Sequence, residues 1–236
     1  MTRTSSGLPP REPPPSSRRP PPAPGLLRPR CSKLKGENKM NLFDLIEEHF
    51  RRRTPQDIER FRKLCLGIDP SSGPGVYSSG PHCIKAFEAF LEFLKRSNLR
   101  GNILEIGFNS GVSSAIMLGI GFASVTSVEI ENTEAVHRGE DILRKEYGDR
   151  FKLIFCNSEF SLPILKDAKF DSAYIDGDHS MAATVQDLDL CTLLGINVVL
   201  MDDWLPKFGT ALEAVHYCGW TTQLMIGNFL IATKTP

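Results

Sequence analysis

From residue 102 onward the chain alternates two patterns. Short apolar runs at 102–106, 124–129, 151–155, 171–176 and 197–202 read as strands, and the segments between them carry helical spacing. Such alternation implies a mostly parallel sheet with helices on both faces. Near the end the pattern changes. WTTQLMIG and NFLIATK flank a Gly227-Asn228 turn and read as a hairpin, so at least one final strand runs antiparallel. Upstream, Leu42, Leu45, Ile46 and Phe50 have helical spacing. A second helix opens at Thr54-Pro55 and closes before Gly67, and a third carries Ala86, Phe87, Phe90, Leu91 and Leu94 on one face. The Gly-, Ser- and Pro-rich stretch from 69 to 81 between them is a loop. The chain thus divides into a Pro/Arg-rich tail (1–39), a helical lid or substrate-side extension (40–76) and the sheet domain (77–236).

Composition changes this picture at one end. The formal net charge is zero, but residues 1–36 hold eight Lys/Arg against the single acid Glu12, and ten of the 17 prolines. That tail cannot bury enough apolar surface to fold, and disorder is expected. The body carries a net charge of −7, which argues against nucleic acid as a partner. No apolar run approaches the roughly 18 residues of a membrane helix, so no membrane partner is expected. The six cysteines are scattered without CxxC or zinc-ligand spacing, as in an intracellular, cytoplasmic protein. The Arg/Ser bias of the tail leaves organelle targeting open, and its PPxPP-like runs give a weak signal for an SH3 or WW partner.

Candidate chemistry lies at the strand ends, where open α/β sheets bind ligands. The ends read Glu105-Ile-Gly107, Glu129-Ile-Glu131, Asn157-Ser158, Asp176-Gly-Asp178-His179 and Asp202-Asp203. The first turn, GFNSG, lacks the glycine that lets a pyrophosphate approach and has no Lys or Arg. Glu105 would repel a phosphate but suits an ammonium group. Glu129, 18 residues after Gly111, is placed to accept from a ribose diol. An amino acid at one end and a ribose at the other describe S-adenosylmethionine.

Five segments in order, LEIGFNSGVSS, VTSVEIEN, CNSEFSLPIL, FDSAYIDGDHS and VVLMDDW, resemble class I S-adenosylmethionine-dependent methyltransferases. Within them the chain is similar to small-molecule O-methyltransferases near catechol O-methyltransferase and the cephalosporin-hydroxylase-like group. The resemblance runs from about Tyr77 to Lys234. The expected fold class is therefore α/β: a Rossmann-like, open, mostly parallel seven-stranded sheet with helices on both faces and a C-terminal antiparallel hairpin. The resemblance implies that Glu105, Gly107, Gly111 and Ser113 line the methionine end. It implies that Glu129 takes the ribose hydroxyls, Ile130 packs on the adenine and Ser158 lies at the adenine edge.

Asp176, Asp202 and Asp203 are expected at one rim, because their strands should be neighbours. Three carboxylates there repel one another, and a divalent cation resolves the conflict. Hard oxygen ligands favour magnesium, manganese or calcium, with magnesium the first choice. The resemblance agrees, although relatives often carry Asn where Asp203 stands. The expected reaction is metal-assisted transfer of the methyl to a small-molecule hydroxyl (a vicinal diol, phenol or sugar), with His179, or failing it Asp178, as the proton acceptor. Two other classes stay open: a catalytically silent cofactor-binding or scaffold protein on the same fold, and an NAD-binding oxidoreductase.

Overall fold

The computed structural model describes residues 55–68, 89–90, 92–93, 101–202 and 211–235, all within the unit Lys39–Pro236. The tail, the expected helix at 41–53, the loop at 69–81 and Asp203 lie outside the described residues. So do Ala86, Phe87, Leu91 and Leu94.

Seven strands form one sheet: β1 Asn102–Ile106, β2 Ser124–Glu129, β3 Phe151–Phe155, β4 Ser172–Ile175, β5 Val198–Met201, β6 Thr221–Ile226 and β7 Phe229–Thr233. Their order is β3-β2-β1-β4-β5-β7-β6. The first five pair in parallel, and β7 pairs antiparallel with β5 and β6 across the two-residue turn at Gly227-Asn228. The open, mostly parallel α/β sheet and its closing hairpin are thus as expected. Strand order reverses between β1 and β4, which opens a crevice beyond their carboxyl ends.

The described helices are α1 Pro55–Ile68, α2 Val112–Ile120, α3 Glu134–Tyr147, α4 Leu162–Leu165, α5 Met181–Leu193 and α6 Ala211–Tyr217. Strand alternation sorts the core into two layers. Ile103, Val125, Phe151, Tyr174 and Leu200 pack with Phe61, Leu64 and Ile68 of α1, with Phe90 and Phe93, and with α2. Leu104, Ile106, Val128, Ile175, Val199 and Met201 pack on the other face with Leu188 and Cys191 of α5 and Ala214 and Val215 of α6. Two glycines set close helix approaches. A methyl at Gly119 would sit 2.6 Å from the Phe61 ring, and one at Gly139 would sit 2.0 Å from the Ser110 carbonyl oxygen. The second contact lets α3 back the glycine turn directly. Thr133 caps α3 by accepting from Val136 N–H at 3.3 Å. Among the described residues no helix is long and apolar enough to cross a membrane.

Candidate active site

The turn after β1 has a conformation that only certain residues take readily. Gly107 and Gly111 lie at φ 91° and 89°, and Asn109 joins them at φ 50°. Asn tolerates this left-handed region better than most residues. Gly107 also has no room for a side chain, because a Cβ would lie 2.2 Å from the Asp176 carbonyl oxygen. Gly111 opens α2 without a side-chain cap.

Glu129 holds this turn in shape. Its Oε2 accepts from the N–H groups of Phe108 and Asn109, both at 2.8 Å, and its Oε1 accepts from Glu131 N–H at 2.8 Å. A carboxylate offers about four lone-pair sites, so capacity remains for a ligand hydroxyl. Glu105 is deeper, with no exposure at all. Ser113 donates to its Oε1 at 2.5 Å, and the Ser114 and Ser127 hydroxyls bond its Oε2. Burial raises its carboxyl from 4.5 to about 7 against the pull of those hydrogen bonds. Ser113 is half-buried, above Glu105. Ile130 stands 67% exposed at the rim. Ser158 opens a 3₁₀ turn that packs against α5.

The β4 and β5 ends bring two of the three candidate metal ligands together. The Tyr174 hydroxyl donates to Asp176 Oδ2 at 3.1 Å and to Asp202 Oδ2 at 3.4 Å, so one phenol serves both acids. Its own burial, with those carboxylates and Glu105 nearby, keeps the phenol protonated well above its ordinary range. Asp202 is buried and Asp176 partly exposed. His179 is half-buried, with Nε2 3.8 Å from Asp176 Oδ1. Asp178 is exposed and points back into its own loop, accepting from Ser180 N–H at 2.9 Å and Ser180 Oγ at 3.2 Å. Ser180 in turn caps α5. Asp203 lies outside the described residues, within which no group of three His, Cys, Asp or Glu side chains could hold a metal ion.

Sequence reasoning missed Ser114, Ser127, Tyr174, Gly139 and Asp187. Three carry a signal in their periodicity. Ser127 and Tyr174 occupy inward positions two residues before Glu129 and Asp176. Asp187 falls on the buried stripe of α5 with Thr184, Leu188 and Cys191. Burial lifts the Asp187 carboxyl from 3.8 to about 6, and its Oδ1 has no hydrogen-bond partner among the described residues.

Residues 104–203 match the family model described as a methyltransferase domain. No curated protein sequence matches the chain. Among solved structures, a Staphylococcus aureus protein assigned as a caffeoyl-CoA O-methyltransferase is 20% identical with a TM-score of 0.57, covering 81% of this chain and 97% of that one. An O-methyltransferase from Bacillus cereus in complex with S-adenosylhomocysteine is 14% identical with a TM-score of 0.54, covering 83% and 98%. An S-adenosylhomocysteine-bound methyltransferase from Podospora anserina is 15% identical with a TM-score of 0.54, covering 82% and 94%. These structures share the fold of this chain. The glycine turn and Glu129 thus lie within the residues that match a methyltransferase domain, on a fold that these methyltransferase structures share.

Proposed function

We propose that the protein transfers the sulfonium methyl of S-adenosylmethionine to a hydroxyl of a small molecule such as a vicinal diol, phenol or sugar. The observation that carries this reading is the convergence of Asp176, Asp202 and His179 beside the cofactor turn. The turn and Glu129 hold the cofactor at the β1 and β2 ends, and the β4 and β5 ends present the acidic pair to the acceptor. The acceptor oxygen attacks the methyl carbon as the carbon–sulfur bond breaks, and its proton passes to His179 Nε2. The products are the methyl ether, S-adenosylhomocysteine and protonated histidine. Holding acceptor and methyl in line accounts for most of the rate in such a displacement.

The residues fit a divalent cation in kind. Magnesium is commonly held by one or two carboxylates and completes its shell with water and substrate. Asp176 and Asp202 supply two, with Asp203 as a third. A bound cation would supply Lewis acidity that lowers the pKa of a chelated hydroxyl. A second, metal-free reading is favoured by Tyr174, whose hydroxyl already relieves the repulsion between the two acids.

The test is product formation with magnesium and a panel of catechols, phenols and vicinal diols, followed as S-adenosylhomocysteine release. Turnover abolished by chelator and by Asp202→Asn, with cofactor binding retained, supports the metal-assisted reaction. Full turnover in chelator removes the metal. Calorimetric cofactor binding without turnover on any acceptor would make the chain a silent cofactor-binding protein.

A further inference from the structure

Glu105 sits in a closed cluster of oxygens contributed by β1, β2 and the first turn of α2. The cluster has four hydrogen-bonding contacts: Ser113 with Oε1, Ser114 with Oε2, Ser127 with Oε2, and Ser114 with Ser127 at 3.0 Å. Each contact needs one proton, and three hydroxyls supply three. If Glu105 were ionised, all three protons would point at it, and the Ser114 and Ser127 oxygens would face each other through lone pairs alone. One more proton on the carboxyl closes the set. Oε2–H then donates to Ser127, Ser127 to Ser114, Ser114 back to Oε2, and Ser113 to Oε1.

The surroundings favour the same state. Among the described residues, the titratable groups that act on Glu105 are Glu129 from β2 and Tyr174 from β4, and neither is a cation. The α2 segment VSSAIMLGI brings no titratable side chain. Its amide end favours the anion, but burial outweighs that pull and lifts the carboxyl to about 7.

We propose that Glu105 is a carboxylic acid in the cofactor-free protein and acts as a positioning residue, drawing the Ser113 proton inward so that the Ser113 oxygen faces the methionine end as an acceptor. This rests on S-adenosylmethionine being the cofactor. The ammonium group then meets Ser113 Oγ, and Glu105 orients that oxygen without supplying a charge. Its side chain could reach the crevice only by abandoning three hydroxyls.

Two measurements on the intact protein decide it. With ¹³C-labelled glutamate, the Glu105 carboxyl resonance should stand at the protonated position at pH 6 and titrate above it. Its assignment comes from Glu105→Gln, or from the shift that Ser127→Ala produces. An ionised resonance at pH 6 overturns the proposal. In calorimetry with S-adenosylhomocysteine, Glu105→Ala should lose about tenfold or more in affinity. Glu105→Gln, whose carbonyl can accept from Ser113 while its NH2 donates to Ser114 and Ser127, should rescue it to within about threefold. A glutamine variant as weak as the alanine variant would make Glu105 the counter-charge and overturn the proposal. Wild type that fails to bind S-adenosylhomocysteine refutes the cofactor reading and the Ser113 role with it, while the resonance still decides the protonation state.

Discussion

Gly107→Ala should damage the crevice at its narrowest point. The residue lies at φ 91°, where an L side chain costs about 1–2 kcal/mol. The new methyl would also sit 2.2 Å from the Asp176 carbonyl oxygen, 2.6 Å from its carbon and 3.0 Å from Gly177 N. Those atoms are backbone of the next strand end and cannot rotate away. β1 and β4 must part by about 1 Å, an overpacking that costs about 1–3 kcal/mol more. The total, about 2–5 kcal/mol, is a large share of the stability of a typical domain, about 5–15 kcal/mol. Gly219→Ala is the control, with φ 74° and nothing within 4 Å, so it pays for backbone conformation alone. Urea unfolding of both variants separates strain from clash. Because Asp176 moves with the parted strand, turnover should also fall by about 10²-fold, as a 1 Å misplacement does elsewhere. If Gly107→Ala loses no more stability than Gly219→Ala and keeps full turnover, the close approach of the two strand ends does not matter.

Other outcomes follow from the same geometry. Glu129→Gln keeps one carbonyl for three N–H donors, so it should cost about 1–3 kcal/mol per orphaned amide and weaken cofactor binding, both measurable by calorimetry. Tyr174→Phe leaves Asp176 and Asp202 without their shared donor. It should lower the melting temperature by several degrees, at about 2–4 °C per kcal/mol for a chain of this size, and magnesium should recover part of the loss. The folded chain holds the Glu105 proton up to about pH 7, whereas an ordinary carboxyl releases it near 4.5. Stability from this group is therefore full below the lower value and declines as pH rises through the upper one, by about 3 kcal/mol in all. Asp187 adds a slope of the same sign between 3.8 and about 6. Urea melts across this range should lose the Glu105 share of the slope in Glu105→Gln, and an unchanged slope would refute the assignment.

The strands were legible because most are buried on both faces, and such segments are near-continuous apolar runs wherever they fall. Expectation and structure differ mainly at the ends, where 171–176 becomes Ser172–Ile175 and 197–202 becomes Val198–Met201. Asp176 and Asp202 still bond the neighbouring strand through their amides, to Ile106 O and Ile175 O, but the ladder stops there, and their carboxylates meet the Tyr174 hydroxyl at the rim. The glycine turn was legible because few residues accept its dihedrals. The polar interior was not. Ser114, Ser127 and Tyr174 read in sequence as ordinary interruptions of apolar segments, since a hydroxyl announces neither its partner nor its depth. Both its charge and the family resemblance point Glu105 at a ligand, whereas the three serines that enclose it come from two other elements. Asp178 looked like a rim acid, and its carboxylate is turned onto Ser180.

The placing of β7 bears on how the sheet is assembled. It is the last strand in sequence, yet it lies inside the sheet, paired on one side with β5 and on the other with β6. During synthesis, β1 to β5 emerge while the far edge of β5 still presents unpaired amides and carbonyls. A bare edge of that kind is a template for another chain. β6 cannot cover it, because β6 reaches the sheet only through β7. Each chain therefore passes through an interval in which a nearly complete sheet lacks its closing strand, and its exposure to aggregation is set by how fast the hairpin forms and docks. Substitutions at Gly227 or Asn228 that slow the turn would lengthen that interval without touching the cofactor crevice. Their mark would be a lower yield of folded protein, with unchanged behaviour in the molecules that do fold.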